Sequence, residues 1–241
     1  DEAFGDGSSV MASCEDLGRL AAKVTAEQRA GEEGVVLSED GTTIILPFGD
    51  SRIDYGPAFE RVGYTELFAK ALGFELADHA RVRAEAERRD MKTKSETGEP
   101  IDITFIINEL FEEVADPRLD PARPTWIVGY PAALSPLTRA SREDPSLADR
   151  ADLFIAGMEI GPHYTELNDP DVQAQRFREQ LAGVDDEEQT FRTFDADFIR
   201  ALKVGMPPAG GMGLGIDREM MLMADQRSIR DVLLFPFMRP E

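Results

Sequence analysis

Glycines 211, 213 and 215 occupy alternate positions in Gly210-Gly-Met-Gly-Leu-Gly-Ile-Asp-Arg218. Alternate residues of an extended strand face one way, so these three leave one strand face without side chains. Such a face is a flat bed on which a planar ring can lie against the backbone. The stretch Arg218-Glu-Met-Met-Leu-Met-Ala is rich in helix formers, so strand should pass to helix at Asp217-Arg218. An arginine at that junction is placed to hold an anionic tail such as a phosphate. The plainer alternative is a tightly packed strand-to-helix junction with a surface arginine.

A second candidate is the acid pair in Asp152-Leu-Phe-Ile-Ala-Gly-Met-Glu159. In an unbroken strand an odd separation sends two side chains to opposite faces. The pair can converge only if the chain bends at Ala156-Gly157, and a glycine suits such a bend. Magnesium favours carboxylate oxygens and commonly bridges one or two of them to phosphates. Against this stands the simpler reading of two surface acids in a very acidic protein. A third candidate is Glu166 in Tyr164-Thr-Glu-Leu-Asn-Asp-Pro170, where Asn168, Asp169 and Pro170 look like the start of a helix. A cap at 168–170 leaves Glu166 free for another role.

Elements that would position these residues follow from patterning. Helical spacing runs over Glu15 to Arg29, with Leu17, Leu20, Ala21 and Val24 on one side. Further helices are predicted over 64–72, 77–89, 101–114, 177–182 and 194–203. Strands are predicted over 42–46, 125–130 and 151–160 and near 205–216, with loops at 31–50, 49–59 and 90–100. This order lacks regular βαβ alternation, so the expected class is α+β, an antiparallel sheet flanked by helices. The 241 residues suffice for one substantial core. No apolar run is long enough to cross a bilayer, and no basic-then-apolar leader is visible. Cys14 is the single cysteine, which excludes an internal disulfide or a cysteine-based zinc site and fits a reducing, cytoplasmic setting. With 26 basic against 47 acidic residues, net −21, the chain lacks the basic excess of a nucleic-acid-binding module.

Four separated segments together resemble one family. Met206 to Arg218, followed by Ser228-Ile-Arg-Asp-Val-Leu-Leu-Phe-Pro-Phe-Met-Arg-Pro240, is similar to motif 3 and the C-terminus of class II aminoacyl-tRNA synthetases of the aspartate, asparagine and lysine subgroup. Asp54-Tyr-Gly-Pro-Ala-Phe-Glu-Arg61, Tyr130-Pro-Ala-Ala-Leu-Ser-Pro-Leu137 and Ile160 to Pro170 resemble the lysyl members. The resemblance implies lysine–tRNA ligase activity: ATP activates lysine to lysyl-adenylate, and tRNA(Lys) accepts it at its acceptor end. It implies adenine stacking near Gly213 and Gly215, the ATP γ-phosphate on Arg218, and Mg2+ at Asp152 and Glu159. It also places Glu166 opposite the lysine ε-ammonium, since a desolvated cation needs a carboxylate partner, with Tyr164 against the aliphatic stem. Departures from the pattern are Pro162, where an asparagine is usual, His163 beside it, Ala133 for a glutamate, and Asp152 for a glutamate. His163 could supply a substitute donor but is more simply a neighbour. Asp6 and Ser8 align only loosely with the family's lysine pocket and receive no role.

The catalytic motif 1 and motif 2 and the anticodon-binding domain are not evident. Phe177-Arg178-Glu-Gln and Phe191-Arg192-Thr-Phe resemble a motif 2 core but fall in the wrong order, and read as helix-surface arginines. Residues 1–241 are therefore expected to be the C-terminal portion of a catalytic domain, inactive in isolation, from a protein that is a homodimer at full length. Two other readings remain open: a synthetase paralogue that aminoacylates a protein or small molecule, and a non-catalytic binding or assembly protein of the same fold.

Overall fold

The computed structural model describes residues 8–95, 98–182 and 194–236. Arg192, Asp6 and the final residues from 237 lie outside them. The chain opens with α1 (Ser8–Gln28), then β1 (Val36–Leu37), β2 (Ile44–Phe48), β3 (Ser51–Asp54) and β4 (Glu60–Gly63). Helices α2 (Tyr64–Leu72), α3 (His79–Arg88) and α4 (Ile103–Leu110) follow, the last running into a π-helical turn over Phe111–Ala115. Next come β5 (Thr125–Val128), β6 (Arg150–Ile155), β7 (Met158–Thr165), α5 (Pro170–Ala182), α6 (Ala196–Val204), β8 (Gly210–Met212) and α7 (Ile216–Met223). Aspartates begin three of the helices: Asp78, Asp102 and Asp195 accept from the main-chain N–H of Arg81, Thr104 and Phe198. Asp169 does the same for α5, accepting from Asp171 and Val172, as the cap expected near 168–170 requires.

Two sheets form. A five-stranded sheet runs β4-β5-β6-β7-β8, antiparallel except for the parallel pair β4–β5, and a small antiparallel sheet runs β1-β2-β3. The expected α+β class with an antiparallel sheet and flanking helices is therefore present. The strand expected over 42–46 is present as β2, and the regions around it, 31–50 and 49–59, expected as loops, add β1 and β3 to make the small sheet. Pro47 is tolerated in β2 because β1 pairs only as far as Ile45, so its missing N–H faces an unpaired edge.

Residues 151–160, expected as one bent strand, are a hairpin. Ala156 and Gly157 both take positive φ, 50° and 76°, the geometry that joins two twisted strands through two residues. The expected apolar side of α1 also differs. Leu17, Leu20 and Val24 are exposed, while Met11, Cys14, Ala22 and Ala26 face the core. Small residues let the helix lie close against β2, and a side chain at Gly18 would already touch Phe59.

Two hydrophobic clusters clamp the large sheet. One face carries Trp126, Ala151, Leu153, Ile155 and Ile160 against α1, the small sheet and α7. The other face carries Ile127 and Phe154 against α2, α3, α4 and Phe111. Among the described residues, the helices of this cluster pack on that second face at the β4–β6 end, and its β6–β8 end holds the polar residues Asp152, Glu159 and Tyr164.

Candidate functional site

The register of the hairpin decides which residues share that open face. Asp152 stands opposite Pro162, Arg150 opposite Tyr164, and Tyr164 opposite Gly211. Between Leu153 and Phe154 the ladder shifts by one residue, so Phe154 faces Glu159. Alternation along β6 puts Asp152 with Phe154, and hence Glu159, on one side of the sheet. Asp152 and Glu159 thus come together through a hairpin and a bulge rather than through one bent strand.

Beyond β8 the glycine stretch keeps pairing with β7: Gly213 N–H donates to the Pro162 carbonyl at 2.8 Å and Gly215 N–H to that of Ile160 at 2.7 Å. A side chain at Gly213 would press on Pro162 Cδ at 3.1 Å, and one at Gly215 on the Ile160 carbonyl at the same distance. At Gly211 it would collide with Glu166 Oε1, so the Glu166 carboxylate lies over the space that glycine leaves empty. Glu166 is half-buried and its main-chain N–H donates to Ala209, at 2.9 Å. Burial raises its pKa. Tyr164 lies beside it, half-buried, on the same face.

Arg218 sits in the first turn of α7, exposed, and donates to the Glu159 carbonyl. The phosphate-holding candidate and one metal-binding candidate therefore occupy one corner of the site. Glu159 is half-buried; burial first, then the Asp152 charge, raises its pKa, while Arg150 and Arg218 oppose the rise. Nearby Asp116, from the turn after α4, is pushed up to about 7 by burial and by Glu112, Asp152 and Glu159.

The central feature of the face is one the sequence reading missed. Arg150 donates through Nε and Nη2 to both oxygens of Asp152, at 2.6–3.1 Å, and through Nη1 to Ser135 Oγ at 3.3 Å. Its guanidinium carbon stands 4.2 Å from the Tyr130 ring centre and 5.7 Å from that of Tyr164. Burial works against the charge of Arg150, but the Asp152 hydrogen bonds outweigh it and the pKa is raised. The signal that would have revealed it was Arg150, one residue before the strand predicted over 151–160 and two before Asp152, which puts both on one face once the strand begins at Arg150. Asp116 carried no comparable signal.

Two departures from the family pattern also find their places. Pro162 packs on Gly213 and offers no side-chain donor to the open face. His163 cannot replace one: it is buried on the opposite face, edge-on to Trp126 at 4.6 Å, with Nδ1 3.2 Å from the Gly161 carbonyl. Arg178 is exposed on α5 and lies over Phe194, as a helix-surface arginine should.

A magnesium ion that bridges to phosphates commonly takes one or two protein carboxylates. Glu159 fits that part, because its carboxylate shares the corner with Arg218 and carries a charge that a cation would stabilise. Asp152 as it stands does not, being 1% exposed with both oxygens on Arg150. Among the described residues no group of three or more His, Cys, Asp or Glu is placed to hold a metal ion.

Comparison with known proteins puts the chain that carries this site in a family. The profile of tRNA synthetases class II (D, K and N) matches residues 2–239. Lysine–tRNA ligase of Cronobacter sakazakii is 39% identical over 204 residues, covering 83% of this chain and 39% of that protein. Those of Bordetella bronchiseptica and Moorella thermoacetica are 42% and 41% identical over 201 residues, covering 82% and 83% of this chain and 39% and 40% of theirs. The chain spans about two fifths of the length of these relatives. On the match along nearly its whole length, this chain belongs to the class II tRNA synthetases of the D, K and N group.

Proposed function

We propose that the chain is part of a lysine–tRNA ligase and carries its lysine pocket and part of its ATP site. The observation that supports this best is the Glu166 carboxylate, half-buried over Gly211 beside the ring of Tyr164. A partly desolvated carboxylate next to an aromatic wall suits a side chain with an apolar stem and a cationic tip. Relatives of about 40% identity that are lysine–tRNA ligases point the same way.

In this reading the adenine ring lies along Gly213 and Gly215, and Arg218 holds the γ-phosphate. Glu159 holds Mg2+, and Asp152 can join it only by giving up Arg150. The ion would neutralise phosphate charge when bound. The residues themselves bind and orient: Glu166 fixes the ε-ammonium and Tyr164 aligns the stem, so that the lysine carboxylate meets the ATP α-phosphate in line. Lysyl-adenylate and pyrophosphate result, and a ribose hydroxyl at the tRNA(Lys) acceptor end then takes the lysyl group as an ester, with AMP leaving. The full-length protein is proposed to be a cytoplasmic homodimer; no described helix is long and apolar enough to cross a membrane. Pro162 keeps a second reading alive, a paralogue that acylates a protein or small molecule, because it removes a side-chain donor from the open face.

The test is lysine-dependent ATP–pyrophosphate exchange by a protein that carries this chain at the relatives' full length. Glu166→Gln should raise the lysine KM at least about tenfold, the scale for losing a charged partner. Arg218→Glu should abolish exchange. Unchanged exchange in either folded variant would overturn the assignment of that residue, and exchange indifferent to lysine would overturn the whole reading.

A further inference from the structure

The Arg150–Asp152 pair occupies the middle of the open face, between the corner of Glu159 and Arg218 and the Tyr164–Glu166 end. It is built with more contacts than a pair that only balances charge requires. The guanidinium uses Nε and Nη2 on one carboxylate and Nη1 on Ser135, and its plane is flanked by Tyr130 and Tyr164. A planar bidentate fork between aromatic rings fixes both partners in angle as well as distance. Tyr164 is opposite Arg150 in the ladder, so a movement of the guanidinium is felt at the ring.

We propose that Arg150 is a positioning residue, which sets Tyr164 as the wall of the lysine pocket and holds Asp152 out of a cation's coordination shell. This rests on the reading of Tyr164 and Glu166 as that pocket. The energetic argument is one of exchange. A cation at Asp152 must displace Arg150, leaving a buried guanidinium without its counter-charge, whereas Glu159 accepts a cation at no such cost. Asp152 thereby acts on the substrate through Arg150 and Tyr164, and the carboxylates left to meet ligands directly are Glu159 at one end and Glu166 at the other. A pair that merely braced the fold would instead affect stability while leaving the lysine and ATP constants alone.

Four variants of the full-length enzyme, Arg150→Lys, Asp152→Asn, Glu159→Gln and Glu166→Gln, separate these cases. Two quantities are measured: KM and kcat for lysine and ATP in pyrophosphate exchange, and Mn2+ affinity in the presence of ATP, read by water-proton relaxation. Arg150→Lys keeps the charge opposite Asp152 but loses the fork. Both it and Asp152→Asn should raise the lysine KM by about tenfold, the low end for losing an orienting partner, with the ATP KM unchanged. Asp152→Asn should bind Mn2+ within about twofold of the unaltered enzyme, and Glu159→Gln about tenfold more weakly. Equal weakening of Mn2+ binding by Asp152→Asn and Glu159→Gln would overturn the proposal, as would lysine KM values unmoved by the first two variants. If Glu166→Gln leaves the lysine KM unmoved, the pocket reading fails, and the positioning role falls with it.

Discussion

Asp152 and Glu219 are both carboxylates sunk beside the large sheet, one on its open face and one on α7. They differ in their partners. Asp152 is 1% exposed and meets a guanidinium with both oxygens. Glu219 has Oε1 buried without a hydrogen-bond partner among the described residues, and burial pushes its pKa up to about 7. An oriented cation anchors a desolvated acid through its hydrogen bonds, as Arg150 does Asp152; Glu219, without one, is a site that gains and loses a proton near neutrality. The anchored acid stands where the fold needs geometry. The titrating one stands among Cys14 and Tyr55, whose pKa values are raised chiefly by burial and then by Glu219.

The largest effect expected from this contrast is at Arg150. Arg150→Gln leaves Asp152 buried without a counter-charge, a change that typically costs about 3–5 kcal/mol. That is a large part of the ~5–15 kcal/mol by which a domain is stable. Denaturant melts should show the loss, and Arg150→Gln with Asp152→Asn together should recover part of it. A loss below about 1 kcal/mol, the range of exposed pairs, would mean that water reaches Asp152 and that the contrast with Glu219 is unfounded.

Glu219 should respond in the opposite sense. Its folded pKa is raised from 4.5 to about 7, so the native state holds the proton more tightly than the unfolded chain. The associated stability is complete below pH 4.5 and is lost as pH rises through about 7, amounting to roughly 3 kcal/mol at pH 8. Glu219→Met, apolar and similar in length, should therefore melt higher than the unaltered chain at pH 8 and nearly equally at pH 4.5. A difference independent of pH would show that folding leaves the Glu219 pKa where it is in the unfolded chain.

These two residues also show what the sequence reveals and what it withholds. The passage into α7 beside Arg218 and the α5 cap at Asp169 were legible, because each depends on residues within a few positions of one another; the place of Glu166 over Gly211 depends instead on the β7–β8 pairing. Asp152 and Glu159 were legible as types, but their meeting depends on a two-residue turn at Ala156-Gly157 and a bulge, which a run of apolar residues does not distinguish from a bent strand. The inward side of α1 was misread because the large residues Leu17, Leu20 and Val24 outweigh Cys14, Ala22 and Ala26 in any hydrophobic count. Close approach to β2 selected the small ones. Glu219 gave no sign of burial, since helix formers of every polarity surround it and the neighbours that desolvate it come from α1 and from Tyr55, far away in the chain.

The smallest expected effect concerns the hydroxyl of Tyr55, and it tests whether Glu219 truly lacks a partner. Tyr55 is fully buried, its ring edge-on to Phe59 at 6.4 Å, and its hydroxyl has no hydrogen-bond partner among the described residues. A hydroxyl removed from water and left unpaired costs the fold about 1–3 kcal/mol, whereas a paired one contributes about 1 kcal/mol. Tyr55→Phe deletes only that oxygen and leaves a gap smaller than a methyl group, so packing loss is slight. The variant should then be neutral or up to about 1 kcal/mol more stable at pH 5, where Glu219 is protonated in the fold. A loss of about 1 kcal/mol or more would mean the phenol shares a hydrogen bond with the Glu219 carboxyl. In that case the second acid has a partner after all, a neutral one, and the lesson narrows: a neutral partner leaves a buried acid free to gain and lose its proton near neutrality, as Glu219 does.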